Sequence, residues 1–213
     1  VKSKLLLILF CFFLTVNSYG QNDSALVPAF LDVPDGIYLS YTDFRYNKAI
    51  LKENIVSTGN KDQLDFIGKI LEKEKFSFSK DQKSNTVETR FVWGFVQNKT
   101  LYINYKGSFY RVPVFGSICY LVATLEIIGV GFYDPMFGPG SGPSVRQQEV
   151  REFLINFYDG VITEFKMDQV ELLLARDKGL YDEFKKLSNK KQKEQIFRYI
   201  RRYNEAHPVY FLK

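Results

Sequence analysis

The chain has 213 residues, of which 46% are hydrophobic, 16% aromatic and 25% charged, and its formal charge is +5. This composition belongs to a folded protein and excludes a collagen, a disordered tail and a polytopic membrane protein. The modest positive excess permits an anionic partner without requiring one.

Residues 1–20 read as a secretory signal peptide. Lys2 and Lys4 form the basic start, Leu5 to Val16 is apolar apart from Thr15, and Ser18 and Gly20 are the small residues of a cut before Gln21. The apolar run falls short of the ~20 residues that a membrane-crossing helix needs. Cys11 follows bulky Ile8, Leu9 and Phe10, where a lipidation site wants a small residue. The expectation is an exported bacterial protein, periplasmic or extracellular after cleavage near Gly20, with no transmembrane helix in the mature chain. Cleavage leaves Cys119 as the single cysteine, so no internal disulfide is available and stability must come from apolar burial. Set in Ile118-Cys119-Tyr120-Leu121-Val122, that cysteine reads as a small buried hydrophobe.

Residues 21–34 show little periodicity and are expected to form a flexible arm. Residues 35–213 read as a single α+β domain, β-rich over 88–165 and helical over 168–206. Asp35-Gly36 suggests a turn, Ile37-Tyr38-Leu39 a strand, and Thr42-Asp43 a cap for a short helix through Phe44 to Lys48. The polar, lysine-rich stretch from Lys52 to Asn85 predicts one element, a helix near Gln63 to Leu71, where Phe66, Ile67, Ile70 and Leu71 recur at helical spacing.

Thr89 to Val96, Leu101 to Tyr105, Phe109 to Phe115 and Ile118 to Phe132 are rich in β-branched and aromatic residues. Gln97-Asn98-Lys99, Lys106-Gly107 and Gly116-Ser117 separate them, a pattern that predicts an antiparallel β-meander, as a sheet or a partial barrel. Pro113 has no N–H for a ladder and belongs at an edge or bulge. Tyr133 to Ser144 reads as a loop. Phe153 to Phe157 and Val161 to Phe165 flank Tyr158-Asp159-Gly160, where Asp-Gly would supply the positive φ angles of a tight hairpin. A C-terminal group of about three helices follows: Gln169 to Ala175, capped by Asp168 with Glu171; a second through Leu180, Phe184 and Leu187, capped by Asp177; and a third after Ser188, with Ile196, Ile200 and Tyr203 on one face. Their single apolar stripes require a surface to cover, which the sheet provides.

Asp35-Gly36-Ile37-Tyr38-Leu39-Ser40-Tyr41-Thr42-Asp43-Phe44, the later Trp93-Gly94-Phe95, and the tail from Leu180-Tyr181-Asp182-Glu183-Phe184-Lys185 to Tyr199-Ile200-Arg201-Arg202-Tyr203-Asn204 are the segments that carry a resemblance. Together the segments resemble uncharacterised secreted proteins of Bacteroidota-type bacteria. The resemblance spans most of the mature chain and implies export, but that group has no assigned activity and brings no catalytic residues with it.

The parts for several chemistries are missing from the sequence. His207 is the single histidine, it precedes Pro208, and no Gly-x-Ser-x-Gly elbow is present. One histidine and one mature cysteine do not make a zinc site, and Asp177, Asp182 and Glu183 lack EF-hand spacing. Gly138-Pro139-Gly140-Ser141-Gly142-Pro143 has two prolines and no following Lys-Ser/Thr, unlike a phosphate loop. No catalytic residue, metal or cofactor is therefore assigned. Glu126, inside an apolar run, is the one acid whose burial would raise its pKa, and a hydrolase using dispersed carboxylates on the β-rich body is the alternative function.

Charge patterning is more specific. From Lys185 to Arg202 stand Lys185, Lys186, Lys190, Lys191, Lys193, Arg198, Arg201 and Arg202 against Glu194 alone. Lys190, Lys191, Arg198, Arg201 and Arg202 are the candidate contacts of a basic helical strip, and Trp93, Tyr102 and Tyr105, with Tyr110, are the candidates for an aromatic platform. The expected function is a non-catalytic binding or scaffolding module of the bacterial envelope, meeting an anionic lipid, a glycan or an acidic protein. Nucleic acid is not expected as a partner of an exported chain, and no oligomeric state follows from the residues.

Overall fold

The computed structural model describes residues 24–26, 33–129 and 145–212. The expected signal peptide, most of the expected arm, the end of the fourth expected strand and the loop at 133–144 lie outside the described residues. The first elements are β1 (Ser24–Leu26), β2 (Gly36–Tyr38), α1 (Tyr41–Arg45), β3 (Ile50–Leu51) and β4 (Ile55–Val56). Next come α2 (Phe66–Leu71), β5 (Lys75–Lys80), β6 (Lys83–Glu88), β7 (Gly94–Gln97), β8 (Thr100–Tyr105) and β9 (Ser108–Arg111). Then follow β10 (Ile118–Gly129), β11 (Val145–Asn156), β12 (Ile162–Glu164), the helices α3 (Met167–Leu174), α4 (Lys178–Lys185) and α5 (Asn189–Ala206), and β13 (Tyr210–Leu212). The fold is α+β, with antiparallel sheets and three C-terminal helices, and no sheet closes into a barrel among the described residues.

β7, β8 and β9 form the expected meander, and β2 and β3 extend it to a five-stranded sheet of order β3-β2-β7-β8-β9. Both of its turns place two consecutive residues at positive φ, Asn98-Lys99 and Lys106-Gly107, the geometry of two-residue hairpins. Gly94 is required where β7 crosses β8, because an added Cβ would stand 2.5 Å from the Tyr102 carbonyl oxygen. The fourth expected strand leaves this sheet: β10 pairs with β11 over twelve residues each, in a separate sheet of order β10-β11-β12. The tight break at Gly116-Ser117 explains the departure. An added Cβ on Gly116 would overlap the side chain of Asn204, whose Oδ1 accepts from Ile118 N (2.8 Å) and whose Nδ2 donates to Ile118 O (2.9 Å). The chain is thereby fastened to α5 as it enters β10.

Three further differences from expectation have local causes. The polar stretch before Asn85 forms the β5–β6 hairpin in a sheet with β4, turned by Asp81 and Gln82, both at positive φ. Only Phe76 and Phe78 of β5 are buried, so its apolar signal is two residues deep. In the β11–β12 connection Gly160 alone has positive φ. Asp159 acts through its carboxylate, which accepts from Val161 N at 2.9 Å and Asn156 Nδ2 at 2.5 Å. Finally Ser24–Leu26, inside the expected arm, pair antiparallel with Tyr210–Leu212.

Three cores alternate with the sheets. β2, β7 and β8 send Tyr38, Val96, Leu101 and Ile103 to one face, where they meet Leu121, Phe153 and Ile155 of the second sheet. Ile37 and Phe95 point the other way, onto α2 and the β4–β6 sheet through Ile67, Ile70 and Phe76. The opposite face of β10 and β11, through Ile118, Tyr120 and Leu154, is covered by Val170, Leu174, Phe184, Tyr199 and Ile200 of the three helices. The amphipathic stripe of each helix is thus matched to half of a ribbon. The ribbon continues past the helices, leaving Val122 and Val150 exposed on that face.

Candidate functional site: the basic face of the last helix and the groove beside it

α5 is set on the sheet by Gln192, Ile196, Tyr199, Ile200 and Tyr203, all buried and spaced at three or four residues along one side. The helical period then places Lys190, Lys191, Arg198 and Arg201 on the outer side, and all four are exposed. No ion pair engages any of these four among the described residues. Glu194 and Glu205 share this exposed side and temper its charge.

Two neighbouring cations behave differently. Lys185 is paired with Glu171 at 2.9 Å. Arg202 holds Glu183 through both oxygens, at 2.6 and 2.7 Å, and lies over the Tyr199 ring at 5.1 Å. Tyr199 Oη also donates to Glu183 at 3.1 Å. The Arg202 guanidinium holds the Glu183 carboxyl down at about 2, and the same contact raises the pKa of Arg202. Arg202, among the expected contacts, is therefore a brace between α4 and α5, and the outward charge falls to the other four.

The expected aromatic residues lie on two different faces. Trp93 stacks on Phe44 at 4.9 Å, and Tyr105 packs on Phe153 at 4.7 Å, both against the core between the two large sheets. Tyr102 faces the other way, stacked on Phe95 at 4.6 Å. Tyr110 Oη donates to the Thr124 carbonyl at 2.6 Å. These rings consolidate the strands and do not converge on a platform.

Beside α5 lies an open groove of about 530 Å³, lined by Glu149, Val150, Arg151, Glu152, Glu164 and Phe165. Phe165 stacks on Phe197 of α5 at 5.3 Å, and Phe197 is 42% exposed, so an apolar strip runs from the helix toward Val150. The groove's acids are engaged: Arg151 meets Glu149 at 2.8 Å and Glu164 at 3.0 Å, Lys166 meets Glu164 at 2.6 Å, and Tyr120 Oη donates to Glu152 at 2.7 Å. The Lys166 hydrogen bond, with Arg151 behind it, holds the Glu164 carboxyl below the usual range. The sequence pattern pointed neither to this groove nor to Phe197, because Arg146 to Glu152 alternates only weakly and Phe197 stands alone among charges.

Glu126 is exposed, with Arg146 4.0 Å away. Its neighbours Leu125 and Ile127 take the inward side of the strand, and alternation turns Glu126 out. Cys119 is fully enclosed, and burial pushes its thiol up to about 12, which leaves no thiolate for chemistry. His207 ends α5 with its ring on Tyr203 (4.4 Å) and Nε2 3.0 Å from Asp177 Oδ2. That carboxylate also caps α4, accepting from Leu180 N at 2.9 Å, so the contact links two helix ends. Among the described residues no group of three or more His, Cys, Asp and Glu is placed to hold a metal, and no helix is long and apolar enough to cross a membrane.

Compared with protein-family models, curated proteins and solved structures, the chain matches none.

Proposed function

We propose that this is an exported binding module of the bacterial envelope that attaches to an anionic component through the outer face of α5. One observation carries the reading: Lys190, Lys191, Arg198 and Arg201 share an exposed helix face and none of them forms an ion pair among the described residues, Arg198 reaching Glu183 only through its field, whereas Lys185 and Arg202 beside them are paired. Unpaired cations on a rigid helix attract an anionic surface without first breaking an internal ion pair. Phe197 beside the strip offers apolar contact to a lipid or an acidic polymer. The segment 1–20 supports export, and the mature chain would meet such a component in the periplasm or outside the cell. The hydrolase reading has less support, since Glu164 in the groove is held ionised and Glu126, outside it, stands in solvent.

Charge reversal tests this. The variant Lys190→Glu, Lys191→Glu, Arg198→Glu, Arg201→Glu alters exposed side chains alone, so its thermal midpoint should stay within a few degrees of the parent. It should lose retention on isolated envelopes by a factor of ten or more. Unchanged retention by the folded variant removes α5 as the attachment surface.

A further inference from the structure

The two long strands of the ribbon have unequal edges. Phe165 N donates to the Glu152 carbonyl at 2.9 Å and Asn156 N to the Val161 carbonyl at 3.0 Å, so the even-numbered residues of β11 point their backbone groups away from β10. β12 pairs only with Phe153 to Ile155, and the chain turns into α3 after Phe165. By strand alternation the N–H and C=O groups of Gln148 and Val150, and those of Arg146, face outward past the end of β12, with no strand beside them among the described residues. The 530 Å³ groove opens at this position. On the far side of the ribbon the edge of β10 is obstructed, by the Val114–Tyr120 bridge and by Tyr110 Oη on the Thr124 carbonyl.

We propose that this open edge of β11 pairs with the same edge of a second copy, joining the two ribbons into one continuous antiparallel sheet across a two-fold axis. The geometry restricts how this happens. A two-fold axis relating antiparallel strands stands normal to the sheet and preserves its faces, so opposed residues share a parity, and the outward-pointing even residues must face one another. The register centred on Gln148 opposes Arg146 to Val150 of the second copy. In this register the described strand of the second copy ends at Val145, opposite Arg151 and short of the place of Phe165; moving the axis to residue 149 brings Arg146, inside the strand, into that place, whereas moving it to 147 withdraws Arg146 from Val150 and Glu152.

In the central register charge complementarity appears twice. Arg146 lies diagonal to Glu152 of the second copy, on the same face and within reach of its long side chain, and the two-fold repeats the contact. Both groups are available: among the described residues Arg146 meets only Glu126, at 4.0 Å, and Glu152 is exposed and accepts a hydrogen bond from Tyr120. Val150, 66% exposed, gains the aliphatic stem of Arg146 as cover. This pairing is independent of the anionic ligand and needs none.

Sedimentation velocity of the full mature chain over a concentration series reads it directly. The parent should show a monomer–dimer equilibrium. Arg146→Glu and Glu152→Arg should each weaken the dimer at least tenfold, and the double variant should recover most of the loss. Val150→Pro, which removes an outward N–H and leaves the β10-facing bonds of Glu149 and Arg151 in place, should abolish the dimer. Arg146 is so exposed that its variant does not threaten folding, which keeps the charge exchange decisive if the proline variant unfolds. A monomer at every concentration overturns the proposal and leaves the edge to an extended segment of another protein. A dimer indifferent to Arg146→Glu and Glu152→Arg overturns it as well.

Discussion

Replacing Phe44 by alanine is expected to remove about 3–5 kcal/mol of stability, the range for deleting a buried aromatic ring. Phe44 is 1% exposed, although it belongs to a helix of only five residues. Its ring meets Trp93 at 4.9 Å, Tyr38 at 5.1 Å, Phe211 at 5.7 Å, Phe157 at 6.1 Å and Phe115 at 6.3 Å. Those partners come from β2, the chain leading into β7, the entry to β10, the end of β11 and β13. One side chain therefore joins both large sheets and the C-terminal strand, and the surrounding rings cannot close the gap without moving several elements. The variant should shift the urea midpoint strongly with little change in slope. A loss below 1 kcal/mol would mean that this junction is already loose. Phe44→Leu, which keeps much of the volume, should recover a large part of the loss.

Asn204→Ala should cost about 2–6 kcal/mol, by leaving both backbone groups of Ile118 without their partner, at about 1–3 kcal/mol per unsatisfied buried group. Ile118 and Ser117 are each 1% exposed, so water does not readily replace the amide. Asn204→Asp separates the two halves of the contact, since it still accepts from Ile118 N but no longer donates to Ile118 O. Its loss should fall between parent and alanine. Amide exchange at Ile118 gives an independent reading, with faster exchange in Asn204→Ala than in Asn204→Asp. Equal stability of Asn204→Ala and the parent would show that the helices are held by their apolar stripes alone.

Much of the fold was legible because its determinants are local. Asn98-Lys99 and Lys106-Gly107 announce turns by composition, and Ile196, Ile200 and Tyr203 announce a helix face by period. The β5–β6 hairpin stayed hidden because its strands are polar and Asp81-Gln82 is not a turn pair that composition advertises. Ser40, not Thr42-Asp43, caps α1: its side chain accepts from Asp43 N, two residues ahead of the expected cap. The departure of β10 from the meander depends on Asn204, 86 positions from Ile118, and no local pattern carries such a contact.

The candidate site divides in the same way. Lys190, Lys191, Arg198 and Arg201 were readable as a basic helix face because the period that buries Ile196 and Ile200 forces them outward. The role of Arg202 was not readable, since Glu183 that neutralises it belongs to another helix. The aromatic residues were separated by strand alternation, which sends Tyr102 and Tyr105 to opposite faces of one strand. The open edge of β11 follows from where β12 stops.

The claim that the outer face of α5 is an anion-binding surface is tested most directly by titrating the purified mature protein with vesicles of mixed zwitterionic and anionic phospholipid, and with an acidic polysaccharide, over a range of salt concentrations. Binding through unpaired surface cations should be present at low salt with at least one of these anionic probes, be weak or absent with purely zwitterionic vesicles, and fall steeply as salt screens the helix. Equal binding to zwitterionic and anionic vesicles, affinity independent of salt, or no binding to either anionic probe at low salt would contradict it.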